Sequence, residues 1–170
     1  RSWSEAAYTQ AFNHIHEAIK AGGVYQVNLS ERFDTVFTGN PAVFYQRLRT
    51  ISPAPFAAYL RGDTWSICSA SPERFFKKTG RQIITQPIKG TMARGATPAR
   101  DHDNRNRLLL SEKNKAELLM ITDLLRNDFA TVCDAGSVRV TALRALREFS
   151  NVFHTESVIT GQTDAGITAI

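Results

Sequence analysis

The sequence predicts an α+β fold in which antiparallel strands and helices follow one another in mixed order. Some segments repeat apolar residues every three to four positions, as helices do, and others alternate apolar and polar residues, as strands do. The order contains no clean strand–helix–strand units of the kind that build a parallel sheet. With 170 residues, 42% hydrophobic and 22% charged, the chain has the composition of a folded domain.

Three helices are predicted from apolar spacing and capping residues. Residues 4–21 repeat apolar side chains behind a serine N-cap, and Gly22 ends the pattern. Asn40 and Pro41 suit the N-cap and the first position of a second helix, which ends before two closely spaced prolines. A long third helix is predicted for residues 112–126.

Alternating segments predict the strands. Residues 24–33, VYQVNLSERF, direct apolar side chains to one side and polar side chains to the other. The other predicted strands are 56–61, 64–69, 74–77, 82–85, 137–140 and 152–159. The first four of these form two hairpins, because turn residues separate the members of each pair. Residues 87–103, rich in Gly, Pro, Arg and Thr, are predicted to be mainly a loop.

Charge and cysteine content argue against several classes of protein. The net charge is +5, but the 21 basic residues are scattered and are not interleaved with aromatic residues, so a nucleic-acid partner is not expected. No apolar run is long enough to span a membrane and no signal peptide is recognisable, so no membrane partner is expected. Two well-separated cysteines, Cys68 and Cys133, do not make a disulfide scaffold. A reducing, cytoplasmic location is therefore predicted.

Glu73 and Lys89 are the first candidate pair for chemistry. Glu73 follows Ser71-Pro72 at the start of a predicted strand, and Lys89 lies at the end of another strand. The hairpin between them brings the two regions together, so the side chains are expected to be near neighbours. A carboxyl group and a lysine in one cleft suit acid/base or nucleophilic work. An ordinary surface ion pair is the alternative.

Three further features are candidates of lower specificity. The backbone N–H groups at Gly90-Thr91 can hold a carboxylate or phosphate, although most such pairs are simple turns. Glu117 lies on a mostly apolar helix face, where a metal or a cation must balance it; an ion pair with Lys113 is the alternative to a metal. His154, within a strand, is either a site residue or a hydrogen-bonded part of the core.

Blocks of sequence along most of the chain carry a resemblance to a known family. The blocks are AGGVYQVNLSERF, APFAAYL, SASPERFF, QPIKGTMARG, SEKNKAELLMITDLLRND, GSVRV and FHTESVITG. In this order they resemble the chorismate-utilising enzymes, and among them component I of the aminodeoxychorismate synthases (para-aminobenzoate synthases). The resemblance implies a two-layer β-sandwich core with helices packed outside. It also implies that residues 1–170 are the N-terminal part of a chorismate-binding catalytic domain that is incomplete at both ends.

The resemblance implies roles for particular residues in the amination of chorismate at C4. Lys89 of PIKGT resembles the lysine that attacks C2 of chorismate and expels the C4 hydroxyl, after which ammonia adds at C4 and the lysine leaves. Glu73 resembles the general acid/base, and His154 the histidine near the departing hydroxyl. Gly90 and Thr91 resemble the residues that contact a substrate carboxylate.

The resemblance also implies a cofactor, an effector pocket and partners. Glu117 resembles one ligand of Mg²⁺. The stretch Pro55, Phe56 and Ala57 matches residues that line a tryptophan pocket in some members. Ammonia is expected from a glutamine amidotransferase subunit, and the product, 4-amino-4-deoxychorismate, feeds folate synthesis. The isolated chain is expected to be inactive, because half of the metal site is missing.

Two positions separate this reaction from its sister reactions. Anthranilate synthases usually have Ala where this chain has Lys89, and isochorismate and salicylate synthases usually have a water-activating Lys where it has Gln26. Gln26, expected to bind substrate, cannot act as a base. Anthranilate synthase component I is the alternative enzyme. A non-catalytic fragment that only binds a ligand is the alternative from another class.

Overall fold

A computed structural model describes residues 2–168, and the chain divides into two compact units, residues 1–39 and 40–170. In the first unit, helix α1 spans Glu5–Lys20. The Ser4 hydroxyl accepts a hydrogen bond from the Ala7 N–H at 3.2 Å, which is the N-cap that the sequence predicts.

The predicted strand at residues 24–33 is wrong. The segment is irregular, and none of the described residues pairs with it as a strand. Its backbone is held instead by the residues before α1, since the Ser2 N–H donates to the Arg32 carbonyl at 2.9 Å and the Trp3 indole donates to the Ser30 carbonyl at 3.0 Å. Alternation of side chains predicts which face would be buried, but a strand also needs a partner for its N–H and C=O groups.

The second unit contains three helices and seven strands within residues 40–168. In chain order these are α2 Pro41–Ile51, β1 Phe56–Arg61, β2 Ser66–Ser71, β3 Arg74–Thr79, β4 Gln82–Gln86, β5 Ile88–Ala93, α3 Pro98–Leu110, α4 Glu112–Ala130, β6 Arg139–Glu148 and β7 Val152–Gln162. The predicted helices and hairpins are thus present with small differences at their ends. Strands β1 and β2 form one antiparallel sheet, and the other five strands form a second one. The predicted α+β class is confirmed.

Strand β7 organises the larger sheet. Strand β6 pairs along most of its length, while β5 and β4 pair with successive parts of it, residues 152–156 and 159–162. Pro87 separates β4 from β5, and its carbonyl accepts a hydrogen bond from the Ser157 N–H at 3.0 Å. Because Pro87 has no N–H, the long ribbon that β4 and β5 form is interrupted at this point.

Helices α3 and α4 pack against this sheet. Ile83, Phe129 and Ile159 form a buried core between sheet and α4, with Leu125, Cys133 and Val138 against it. Burial raises the pKa of the Cys133 thiol. None of the helices within residues 2–168 is long and apolar enough to cross a membrane.

The predicted loop at residues 87–103 is wrong over most of its length, because β5 and the first turns of α3 occupy it. Thr97 caps α3, accepting from the Arg100 N–H at 3.3 Å, and Pro98 takes the first helical position. Proline is well tolerated there, since its fixed φ suits the first turn and its missing N–H needs no partner. The proline that predicted a loop therefore begins a helix.

A charged clamp joins the end of β5 to α3. The Arg94 guanidinium donates two hydrogen bonds to the Asp101 carboxylate, at 2.8 and 2.7 Å, and one to the Phe149 carbonyl at 3.0 Å. The Gly95 N–H donates to the same carboxylate at 2.7 Å, and the guanidinium lies over the Phe153 ring. Hydrogen bonds from Arg94, and then from Gly95, lower the pKa of Asp101.

This clamp predicts a pH-dependent loss of stability. Because the pKa of Asp101 is lower in the folded chain, its contribution is fully present above the unfolded value of about 3.9 and is lost as the pH falls through the folded value. Asp101→Asn should therefore lower the thermal midpoint at pH 7, and the difference from the parent should shrink towards pH 2. Circular dichroism melts at both pH values measure this.

Asp123→Asn is the matched control, because the ion pair of Asp123 with Arg126 lies on an exposed helix surface. It should change the midpoint little at either pH. An Asp101→Asn difference that stays the same from pH 7 to pH 2 would contradict the role given to the ionised carboxylate.

Candidate active site

Glu73 directly precedes β3 in the chain, and its side chain reaches the point where β4 ends and β5 begins. The Ser71 hydroxyl donates to the Glu73 carbonyl at 3.2 Å, and β3 begins at the next residue. The Glu73 carboxylate then accepts a hydrogen bond from the Ile88 N–H at 2.9 Å. Among the described strands β5 pairs only with β7, so this carboxylate takes the place of a neighbouring strand at the first residue of β5.

Lys89 contacts the other backbone polar group of the same residue. Its Nζ donates to the Ile88 carbonyl at 3.0 Å, and the residue is half-buried. Lys89 pairs with Thr155 across the β5–β7 ladder. Glu73 and Lys89 are therefore brought to the N–H and the C=O of one residue, which agrees with the predicted neighbourhood. They form no direct ion pair with each other in residues 2–168.

A cavity of about 350 Å³ opens beside Glu73. Its lining includes Ser71, Thr85, Pro87 and Leu125, so it lies between the strand junction and α4. Cavities of this size hold small organic ligands. Glu73 forms part of the cavity wall, whereas Lys89 does not line it. A carboxyl group and a lysine are the groups that acid/base and nucleophilic steps need.

Gly90, Thr91 and His154 form a second group, at a bulge in β5. Gly90 has φ +82°, and the pairing register shifts between Lys89 and Thr91. The Thr91 hydroxyl lies 2.9 Å from His154 Nδ1, which is also 3.4 Å from the Gly90 carbonyl. His154 is buried and its ring packs edge-on against Phe149. The structure thus shows a hydrogen-bonded core histidine beside the predicted carboxylate-binding residues.

The register separates the two groups by face. Lys89 is opposite Thr155 and Thr91 is opposite His154, and side chains alternate along a strand. Lys89 and His154 therefore point to opposite faces of the sheet. Gly90, between Lys89 and Thr91, is the backbone link from one group to the other.

Glu117 lies on α4, one helical turn after Asn114, whose side chain covers Gly90. It pairs with Lys113 at 3.7 Å, which is the alternative that the sequence predicts, and its side chain is 38% exposed. No group of three or more His, Cys, Asp or Glu residues within 2–168 is placed to hold a metal ion. The described residues therefore supply one carboxylate for the predicted Mg²⁺ and do not form a magnesium site by themselves.

The remaining predicted site residues are in the first unit and at the start of β1. Gln26 belongs to the first unit and is exposed. Pro55 and Ala57 flank Phe56 at the start of β1, where the Arg74 guanidinium lies 4.6 Å from the Phe56 ring centre. The cavity against this small sheet is lined by the opposite end of β1, so the described residues do not join the three in one pocket.

One buried acidic residue was not identified as a candidate from the sequence. Glu156, in β7, is 6% exposed and accepts hydrogen bonds from Arg147 at 2.6 Å and from Gln86 at 3.3 Å. The available signal was a glutamate in the middle of a strand that is otherwise apolar or weakly polar, FHTESVI. A charge in such a position is costly unless it is paired.

Comparison with known proteins places the chain in a family. The family model of chorismate binding enzymes matches residues 1–170, so the chain belongs to the chorismate binding enzymes. It is 38% identical over 168 residues to aminodeoxychorismate synthase component 1 of Bacillus subtilis, covering 99% of this chain and 36% of that protein. It is also 38% identical over 165 residues to anthranilate synthase component 1 of Arthrobacter globiformis, covering 94% of this chain and 31% of that protein.

A solved structure supports the fold. Anthranilate synthase component I from Streptococcus pneumoniae superposes with a TM-score of 0.67 at 32% identity, over 78% of this chain and 28% of that one. The predicted chorismate-utilising fold is thereby confirmed. The chain spans about a third of the length of the curated relatives that it matches.

Proposed function

We propose that this chain is part of an enzyme that converts chorismate and ammonia to 4-amino-4-deoxychorismate. The observation that carries the proposal is the position of Lys89, whose Nζ donates to the carbonyl of Ile88 while the Glu73 carboxylate accepts from the N–H of the same residue. A nucleophile and an acid held by the two backbone groups of one strand residue suit covalent catalysis. The similarity to an aminodeoxychorismate synthase supports the choice of reaction.

The proposed chemistry begins with neutral Lys89 Nζ. It bonds to C2 of chorismate, the two ring double bonds shift, and the C4–O bond breaks. Glu73 gives its proton to the departing hydroxyl, which leaves as water. Ammonia then bonds to C4, the double bonds shift back, and the bond from Lys89 to C2 breaks, leaving Lys89 neutral. The proton that the new C4 ammonium group loses returns to the Glu73 carboxylate. One difficult displacement becomes two easier ones.

The Gly90 bulge is assigned to substrate positioning. The exposed Thr91 stands beside the N–H groups at the bulge, and His154 holds its hydroxyl. Such groups can bind a substrate carboxylate. Glu117 is proposed to give one ligand to Mg²⁺, with the other ligands coming from outside the described residues, so no step is assigned to the metal.

The proposal extends to partners and to the isolated chain. Ammonia would come from a glutamine amidotransferase subunit, and the reaction would belong to folate synthesis in the cytoplasm. Since the described residues contribute a single carboxylate towards the metal, the 170-residue chain alone is proposed to show little or no turnover. Comparable rates for the chain and for the gene product at its natural length would contradict this.

Anthranilate synthesis is the second candidate, favoured by the similarity to anthranilate synthases in sequence and structure. That reaction releases pyruvate and leaves the amino group at C2. A lysine at position 89 would be an obstacle to it rather than an aid. The candidate function from another class is a non-catalytic one, in which the chain only binds a ligand.

Product identification by mass spectrometry tests the proposal. The gene product at its natural length is supplied with chorismate, ammonia and Mg²⁺, beside Lys89→Ala and the control Lys77→Ala on exposed β3. Aminodeoxychorismate should form with the parent and the control, and Lys89→Ala should reduce it by at least about a hundredfold. Anthranilate with pyruvate would overturn the reaction, and full activity of Lys89→Ala would overturn the covalent step.

A further inference from the structure

A line of hydrogen bonds crosses the larger sheet from β6 to β3. Arg147 Nε donates to Glu156 Oε1 at 2.6 Å, and Gln86 Nε2 donates to the same oxygen at 3.3 Å. Gln86 Oε1 in turn accepts from Arg74 Nε at 2.6 Å. These four residues, Arg74, Gln86, Arg147 and Glu156, are called the cross-sheet network below. It ties four strands together through side chains alone.

The network meets the candidate site at two points. Arg74 is the residue after Glu73, and Glu156 lies directly opposite Ile88 in the β5–β7 ladder. Gln86, in the middle, is the last residue of β4 before Pro87. The network therefore adjoins both partners of the hydrogen bond between the Glu73 carboxylate and the Ile88 N–H.

The orientation of Gln86 depends on both of its neighbours. Its amide oxygen faces a cationic donor and its amide nitrogen faces an anionic acceptor. Turning the amide over would set nitrogen against Arg74 and oxygen against Glu156, which is unfavourable at both ends. The buried charge on Glu156 thus determines how Arg74 is held, although the two do not touch.

A purely structural role does not require these residues. In the pair of Arg147 and Glu156 the glutamate is buried and the arginine is half exposed. Burying the charge of Glu156 is costly, and apolar side chains of similar volume often stabilise a fold as well or better. Removing one partner alone leaves a buried charge without a counterion, which is destabilising. A network of four polar side chains beside a catalytic carboxylate is therefore better explained by the positioning of that carboxylate than by a contribution to the stability of the fold.

We propose that the cross-sheet network is a positioning device for Glu73, holding its carboxylate against Ile88 and beside Lys89; this rests on the proposed function for the role of Glu73. Glu156, Gln86 and Arg147 are positioning residues, since the contacts they make are with one another and with Arg74. The network thereby sets the orientation of the Glu73 carboxyl group for the proton-transfer step.

The first test needs no turnover. Amide hydrogen exchange by NMR in this chain reports the protection of the Ile88 N–H, which donates a hydrogen bond to the Glu73 carboxylate. Gln86→Leu, which cuts the network at its centre, should speed exchange at Ile88 about tenfold or more. Gln82→Leu, on the same strand and outside the network, should not. Unchanged exchange in Gln86→Leu overturns the proposal even if the protein makes no aminodeoxychorismate.

The second test is a double-mutant cycle on turnover in the gene product at its natural length. Gln86→Leu should lower kcat by about 10- to 100-fold with little change in KM, because the acid is misplaced. In a Glu73→Gln background the same change should have almost no further effect. Equal losses in both backgrounds would show that Gln86 acts independently of Glu73 and would overturn the proposal.

A third variant covers the case in which Gln86→Leu fails to fold. Arg147→Leu combined with Glu156→Leu removes both charges together, so no buried ion is left unpaired. Its thermal midpoint should stay near that of the parent while kcat falls and Ile88 exchange rises. If the folded double variant keeps the kcat and the Ile88 exchange rate of the parent, the network contributes only to packing and the proposal is overturned. A parent that makes no product refutes the proposed function, and the exchange results alone then decide the positioning.

Discussion

In the gene product at its natural length, Glu73→Gln is expected to lower turnover of chorismate by about two to four orders of magnitude while the protein keeps its stability. The amide oxygen of glutamine can still accept the hydrogen bond from the Ile88 N–H, so the structural contact survives. The amide cannot give a proton to the departing hydroxyl. Steady-state rates and thermal melts on the same preparations separate the two effects.

Two further variants check this reasoning. Glu73→Ala removes the hydrogen bond as well as the acid, so it should lower both the rate and the thermal midpoint. Glu112→Gln, at an exposed first-turn position of α4, should change neither by much. Glu73→Gln turnover within about threefold of the parent would exclude Glu73 as the general acid.

Gly90→Ala is expected to be the most destabilising change of a single methyl group at the site. With φ +82°, Gly90 has a backbone conformation that side chains rarely adopt, and its new Cβ would lie 2.9 Å from both Asn114 and Leu108. The strain costs about 1–2 kcal/mol and the overpacking a further 1–3 kcal/mol or so. Urea unfolding should show the combined loss, and the bulge that presents Thr91 should be disturbed with it.

Gly80→Ala is the matched control for this prediction. Gly80 also has a positive φ, +58°, but nothing lies within 4 Å of the Cβ it would gain. It should therefore show the strain without the overpacking, and lose about 1–2 kcal/mol. Equal losses at the two positions would mean that α4 moves aside freely, and that Asn114 does not hold the bulge in place.

The order of helices and hairpins was accessible from the sequence because those signals are local. Asn40 accepts hydrogen bonds from two N–H groups of the first turn of α2, as its position before Pro41 predicts. The hairpin between β3 and β4 turns at Gly80 in the left-handed region. Such preferences act within a few residues, so no distant contact can easily overrule them.

The neighbourhood of Glu73 and Lys89 was also predictable, but their common contact with Ile88 was not. Sequence spacing brings the two strands together, whereas the hydrogen bonds of both side chains to Ile88 depend on where Pro87 interrupts the pairing with β7. The roles of these residues were inferred from resemblance and stay predictions. The family and its fold are confirmed by comparison.

Tertiary structure alone decided three features. The segment 24–33 alternates like a strand and forms none, because a strand depends on a partner that alternation does not specify. The position of α3 at the end of β5 depends on the hydrogen bonds from Arg94 to Asp101, although Thr97 and Pro98 begin the helix locally. Glu156 is tolerated in the centre of the sheet only because β6 and β4 bring Arg147 and Gln86 to it. Local sequence signals determine helices and hairpins, whereas the counterion and hydrogen-bond partners that a buried charge needs come from residues far away in the chain.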